Sequence, residues 1–268
     1  MSERRHYILG TATGWHLERL ETTEEDLGLQ AISLDFWNTL FVESPDAFRF
    51  YASRRRQLLA EATRDSGPFT DEEIASACRA EAEAHHEIWR HQHRTLPARK
   101  RLARILETLN ANLPPARMDE LSTAYEEGIL ERPPLLVEGA REALDQLSAK
   151  YKLGIISDVG FSPGRVLRKV MADSGILPIF DSLVFSDEAG CSKPHLEVFK
   201  QTASRLAAEP EQIAHIGDLE HTDIVGAKAA GYRAIRFVGV TPIEHGETTL
   251  ADGLAVAWSE VPAMLESF

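Results

Sequence analysis

Cysteine is scarce in this chain: Cys78 and Cys191 are the only two among 268 residues, far apart and in unlike contexts. That argues against a disulfide framework and makes a reducing, cytoplasmic setting the expectation. Long apolar runs are missing too. None approaches the ~18 residues needed to cross a bilayer, and MSERRHYILGTATGWHLERLE at the N-terminus lacks the apolar stretch of a secretion signal. Positive charge is short: 29 Lys and Arg against 42 Asp and Glu leave a formal charge of −13. Such a field repels nucleic acid and anionic lipid, which argues against non-specific binding to either. A local site can still invert it for a small charged substrate. Internal repeats and low-complexity tracts are also absent. What is present is apolar material, 43% of residues, enough for one large domain or a domain with a smaller insert.

From Leu135 onward, strand-like and helix-like segments alternate. GAREALDQLSAK (139–150), RVLRKVMADSG ending on Gly175, LEVFKQTASRLAA (196–208) and TDIVGAKAAG (222–231) carry helical spacing. LGIIS (153–157), SLVFS (182–186), IAHIG (213–217), RAIRFV (233–238) and LAVAW (254–258) read as strands, and ISLD (32–35) fits as one more. This alternation predicts an α/β fold with crossover connections and a parallel sheet. Between Leu40 and Leu135 nothing looks like a strand. Four helix-like stretches occur there, punctuated by Ser66-Gly67-Pro68, Pro97 and Pro114-Pro115, and Pro133-Pro134 marks the return. The expected division is an N-terminal extension (1–29), a core (30–41 and 134–268) and an all-helical insert (42–133) after the first core strand.

Open parallel sheets bind ligands beyond the carboxyl ends of their strands. Asp35 ends the first strand, Ser157 and Asp158 end LGII, and Gly217-Asp218 end IAHI. Singly, each reads most simply as a turn or helix-capping residue. Together, DFWNTL, IISD, Lys193 in GCSKPHLEVF, and IGDLEHTDIVGAKAAG resemble the four motifs of the haloacid dehalogenase-like hydrolase superfamily. The resemblance covers about residues 30 to 260, with the helical insert where that family carries its type 1 cap.

The resemblance implies a Rossmann-like core, an aspartate nucleophile and usually Mg2+-dependent phosphoryl transfer. On that footing Asp35 is the nucleophile. Asp35, Asp218 and the backbone carbonyl of Trp37 hold Mg2+, with Asp223 acting directly or through water. Ser157 donates to a phosphoryl oxygen, Lys193 supplies positive charge, Thr39 orients the nucleophile or holds phosphate, and Asp158 stands beside them as a substrate-contacting residue.

The first motif departs from the phosphatase pattern, Asp-x-Asp-Gly-Thr-Leu, in having Trp37 for the second Asp and Asn38 for Gly. That second Asp is the general acid and base, which indole cannot replace. Its loss is worth about 10²- to 10⁴-fold in rate. Four responses are open. The leaving group needs no proton, as in an acyl phosphate; Asp158 or His221 substitutes; the reaction is metal-independent displacement of halide, since 2-haloacid dehalogenases carry Tyr at this place; or the protein binds without turnover. The retained Asp218 separates the chain from the dehalogenases. Arg49, Arg54, Arg55 and Arg56 fall near the region of their halide-binding Arg, but read more simply as a solvated helix face. A phosphonate-cleaving relative would need a cap lysine, and Lys100 is the one available.

His85, His86, His91 and His93 lack the spacing that puts two imidazoles on one helix face, and read as a polar face. Residues 1–29, including Trp15, Leu17 and the helix start Thr23-Glu24-Glu25-Asp26, could pack back on the core or pair two copies. The resulting expectation is a cytoplasmic, Mg2+-dependent hydrolase acting on a small phosphorylated metabolite, with neither nucleic acid nor membrane as partner, as a monomer or homodimer.

Overall fold

The structure is a computed structural model, and the residues described are 28–67, 69–243 and 246–268. The expectations for residues 1–27 lie outside them. Six strands form the main sheet: β1 (Ala31–Leu34), β4 (Lys152–Ser157), β5 (Ser182–Phe185), β6 (Ile213–Gly217), β7 (Arg233–Phe237) and β8 (Gly253–Ala255), in the order β5-β4-β1-β6-β7-β8. Every pairing is parallel. Two further strands, β2 (Phe41–Val42) and β3 (Leu135–Leu136), pair antiparallel as a short ribbon.

A strand buried on both sides reads as a continuous apolar run because its alternate residues feed two layers. Ile32 and Leu34 of β1 join one cluster and Ala31 the other; Leu153 and Ile155 of β4 join the first and Ile156 the second. The first layer is closed by α5 (Ala140–Ser148), α6 (Gly164–Asp173) and α10 (Val261–Leu265). The second is closed by α8 (Leu196–Leu206) and α9 (Val225–Ala229), while α7 (Ser186–Ala189) is a single turn after β5.

The four stretches between the first two long strands are helices: α1 (Pro45–Ala62), α2 (Asp71–Gln92), α3 (Ala98–Thr108) and α4 (Pro115–Glu127). They surround their own apolar cluster, which includes Leu59, Ile74, Leu102, Ile105 and Tyr125. α2 starts at a reciprocal cap between Thr70 and Glu73, which satisfies two backbone N–H groups that have no partner within the helix. A bidentate ion pair, Arg101 to Glu81, is buried within the bundle.

Several local expectations change. A strand does lie in the 40–135 region, since β2 carries the chain from the sheet toward the helices and β3 brings it back; two residues are too few to show a period. The 254–258 run pairs only over Gly253–Ala255. The 222–231 segment begins as a wide π-helical turn, Glu220–Ile224, before α9. His85 is buried rather than on a solvated face, and its Nε2 accepts the Leu96 N–H.

Candidate active site

The sheet reverses its winding around β1, so the loops after β1, β4 and β6 open into one crevice. A cavity of about 510 Å3 lies there, between the strand ends and the helical bundle, and Asp35, Trp37, Asp158, Lys193, Asp218 and Asp223 all line it. Asp35 leaves β1 with its N–H bonded to the Ile216 carbonyl at 2.8 Å. The chain then turns tightly: Asn38 has φ 55° and its N–H meets the Phe41 carbonyl at 2.7 Å. Glycine takes that left-handed conformation most easily and asparagine next, so Asn38 keeps the turn that the departure from Gly put in question. Trp258 holds the turn from behind, its indole N–H donating to the Thr39 carbonyl at 2.8 Å.

Lys193 is the hub. Its buried Nζ donates to Asp35 Oδ1 at 2.5 Å, Asp223 Oδ1 at 2.6 Å and the Ile156 carbonyl at 3.0 Å. Burial alone would lower its proton affinity, but the carboxylates of Asp223, Asp35 and Asp158 hold the ammonium above its usual range. Asp223 reaches inward because Gly217 has no side chain: a Cβ there would stand 2.3 Å from the Asp223 carboxyl carbon. Its Oδ2 accepts from the Leu219 N–H at 3.0 Å and the Thr222 hydroxyl at 3.2 Å. Burial pushes Asp223 up, but Lys193 and His215 outweigh it and hold the group ionised.

His215 was not singled out in the sequence. It lies wholly buried on β6, Nε2 at 3.2 Å from Asp223 Oδ1 and Nδ1 at 2.9 Å from the Ser33 hydroxyl. A carboxylate only accepts, so Nε2 carries the hydrogen and Nδ1 accepts from Ser33. Burial lowers its pKa and keeps the ring neutral. A polar residue inside the apolar run IAHIG was the available signal.

Asp35, Asp218 and Asp223 each place one oxygen within 4.8 Å of the others. Asp35 is held well above the usual carboxylate range by burial, which Lys193 opposes and Asp223 and Asp218 reinforce. Burial and the neighbouring Asp223 likewise raise Asp218, against a 2.8 Å bond from the Thr241 hydroxyl. Three clustered acids with one ammonium carry surplus negative charge in a poorly hydrated place. Hard carboxylate oxygens so arranged suit a divalent cation such as Mg2+. Thr39 Oγ1 and Ser157 Oγ, both buried and neither part of the cavity wall, have no hydrogen-bond partner among the described residues. Buried hydroxyls are rarely left unpaired, and a bound oxyanion beside Asp35 would give them acceptors.

Asp158 is differently engaged. Its Oδ1 accepts the Lys193 backbone N–H at 2.9 Å, and its Oδ2 accepts the Trp89 indole N–H from α2, also at 2.9 Å. Burial, opposed by Lys193 and Trp89, raises it to about 6. His221 lines a separate cavity of about 160 Å3 with Trp89 and Pro194, and stacks edge-on against Trp89. Trp37 is half-buried, its ring 4.9 Å from that of Phe36. Lys100 is exposed and is not part of the main cavity wall. Of the α1 arginines, only Arg55 reaches that wall.

The sequence pattern described as hydrolase, haloacid dehalogenase-like hydrolase, matches residues 29–231. Among curated proteins, the glyceraldehyde 3-phosphate phosphatase of Methanothermobacter thermautotrophicus is 34% identical over 94 residues, 34% of this chain and 39% of that protein. Haloacid dehalogenase-like hydrolase domain-containing protein 3 of Xenopus laevis is 33% identical over 107 residues, 40% of this chain and 43% of the relative. The chain thus spans less than half the length of the curated relatives it matches. In three dimensions it is similar to a 2-haloacid dehalogenase from Pseudomonas syringae pv. Tomato (TM-score 0.68, 21% identity, 89% of this chain and 99% of that one). It also resembles the phosphatase of the same fold from Thermococcus onnurineus (0.63, 21%, 88% and 98%) and magnesium-bound YfnB from Bacillus subtilis (0.60, 18%, 89% and 99%).

Proposed function

The chain belongs to the haloacid dehalogenase-like hydrolases, and from that premise we propose that it is a Mg2+-dependent phosphatase-like enzyme acting on a small phosphorylated metabolite. The observation that carries this reading is the convergence of Asp35, Asp218 and Asp223 around the Lys193 ammonium. Relatives named as phosphatases and the magnesium-bound structural neighbour support it. We read α1 to α4 as the cap and the six-stranded sheet with its helices as the core.

Bound at Asp35, Asp218 and Asp223, with the Trp37 carbonyl, Mg2+ would neutralise charge on the phosphoryl oxygens. Lys193 fixes Asp35 through Oδ1, which leaves Oδ2 without a hydrogen bond from any described residue and able to attack phosphorus. The new Asp35–phosphorus bond forms as the ester bond breaks, and the leaving oxygen departs with the electron pair. Water then attacks phosphorus, releasing phosphate and restoring the Asp35 carboxylate. Ser157 and Thr39 donate to phosphoryl oxygens, and the Lys193 ammonium offsets their charge. Asp158 contributes by holding the Lys193 backbone in place.

Trp37 removes the usual proton donor, so a leaving group of low basicity, such as an acyl oxygen, suits the site best. Screening phosphate release over alkyl and acyl phosphates with Mg2+ tests the reading. Asp35→Asn should reduce turnover on the order of 10⁴-fold or more, and unchanged release would remove Asp35 as nucleophile. The aromatic Trp37 also favours a second reading, displacement of halide without metal; halide release from a 2-haloacid in excess EDTA would support it.

A further inference from the structure

The cavity extends from Asp35 toward the cap, and its far wall differs in kind. On α1, Arg49 pairs with Asp46, Arg54 with Glu131 and Arg56 with Asp71. Among the described residues, Arg55 has neither an ion pair nor a side-chain hydrogen bond, although it is half-buried and lines the cavity. Its guanidinium stands 4.5 Å from the centre of the Phe161 ring. Arg101 lies over the same ring at 3.7 Å, but Glu81 already neutralises it. Next along the chain from Phe161, Ser162 is 3% exposed, also lines the cavity, and its hydroxyl has no partner among the described residues.

A guanidinium drawn partly out of water with no ion pair, lining the same cavity as a buried hydroxyl that lacks an acceptor, suits an anion. Glu43, half-buried on the same wall, attracts the Arg55 guanidinium without forming an ion pair among the described residues, and adds an acceptor for a hydroxyl or ammonium group. The volume of about 510 Å3 holds more than a phosphoryl group, within the roughly 300–1,000 Å3 usual for small-molecule sites.

We infer that the substrate carries a second anionic group, a carboxylate or another phosphate, which Arg55 and Ser162 bind while its phosphoryl group lies at Asp35. This rests on the phosphatase reading and sharpens it from any phosphorylated metabolite to a phosphorylated acid. A charge-assisted contact of this kind is worth about 10- to 100-fold in affinity.

The test measures binding by calorimetry with Mg2+ present, using 3-phosphonopropionate, propane-1,3-bisphosphonate and neutral-tailed propylphosphonate, on the wild type, Arg55→Met and Ser162→Ala. The expected result is that one anionic-tailed probe binds at least 10-fold tighter than propylphosphonate, and that Arg55→Met brings the ratio close to one. Ser162→Ala, a smaller change to the fold, should lower the ratio several-fold. Which anionic probe binds tighter identifies the tail as carboxylate or phosphate. Equal binding of all three, or a ratio that survives Arg55→Met, overturns the subsite and leaves the phosphatase reading standing. Binding of none of them overturns both.

Discussion

The two walls of the cavity solve opposite problems. At the strand ends, almost every charged atom is spoken for: Lys193 contacts two carboxylates and a carbonyl, and Asp223 accepts at both oxygens. On the opposite side, Arg55 of the cap has no ion pair among the described residues, and Ser162, in the loop after β4 that reaches toward the cap, has a hydroxyl with no partner among them. A wall that performs chemistry needs groups fixed before substrate arrives, because reorganising charges in the transition state is slow and costly. A wall that selects substrate needs groups whose partner is the substrate itself. The difference teaches that charged groups fixed by one another, and a charged group without an ion pair, mark the two duties within one cavity.

The comparison breaks most visibly at Lys193. Lys193→Met would leave Asp35 and Asp223 clustered without their cation, a loss of about 3–5 kcal/mol in folding stability. Added Mg2+ should restore part of it by binding only the folded chain. Thermal unfolding in EDTA and in Mg2+ checks this; an unfolding temperature equal to that of wild type in EDTA would contradict the fixed network. Trp37→Asp sharpens the chemistry side. Supplying the missing acid should raise alkyl phosphate hydrolysis by about 10²- to 10⁴-fold and change acyl phosphate hydrolysis much less. No gain on alkyl esters would mean that a group already present supplies the proton.

The smallest effect concerns the link between the walls. Trp89→Phe deletes the indole bond to Asp158, worth about 1–2 kcal/mol, and should show in urea unfolding and in faster proteolysis of the cap helices. Asp158 also sets a pH dependence. Its folded pKa is raised to about 6, so between the ordinary aspartate range and pH 6 the folded chain binds more protons than the unfolded one, and stability falls as pH climbs through that window. Trp89→Phe removes an influence that lowers this pKa, so the decline should extend above pH 6. A decline that ends at the same pH in both proteins would show that the indole does not act on Asp158.

Much of the fold could be read because buried parallel strands are short continuous apolar runs, and IISD and IAHIGD show both the run and the polar residue that ends it. The geometry behind Asp223 was not so visible. Its inward reach depends on the missing side chain at Gly217 and on a π-helical turn, neither of which has a period of its own. Arg55 was hidden for another reason. Successive residues on a helix point about 100° apart, so within Arg54-Arg55-Arg56 only the packing of α1 decides which one faces the cavity. Trp89 was not singled out in the sequence, because its bond to Asp158 spans 69 positions.

Trp258 has a consequence for how the site comes into being. Its indole secures the carbonyl of Thr39, 219 positions earlier. Chains begin folding from their N-terminal end while still being made, so the turn that presents Asp35 is synthesised early yet stays unsecured until residue 258 has emerged and packed. The proposed nucleophile therefore waits for a contact supplied 219 positions later in the chain, and a chain that has not yet reached residue 258 carries Asp35 on a turn that is not secured.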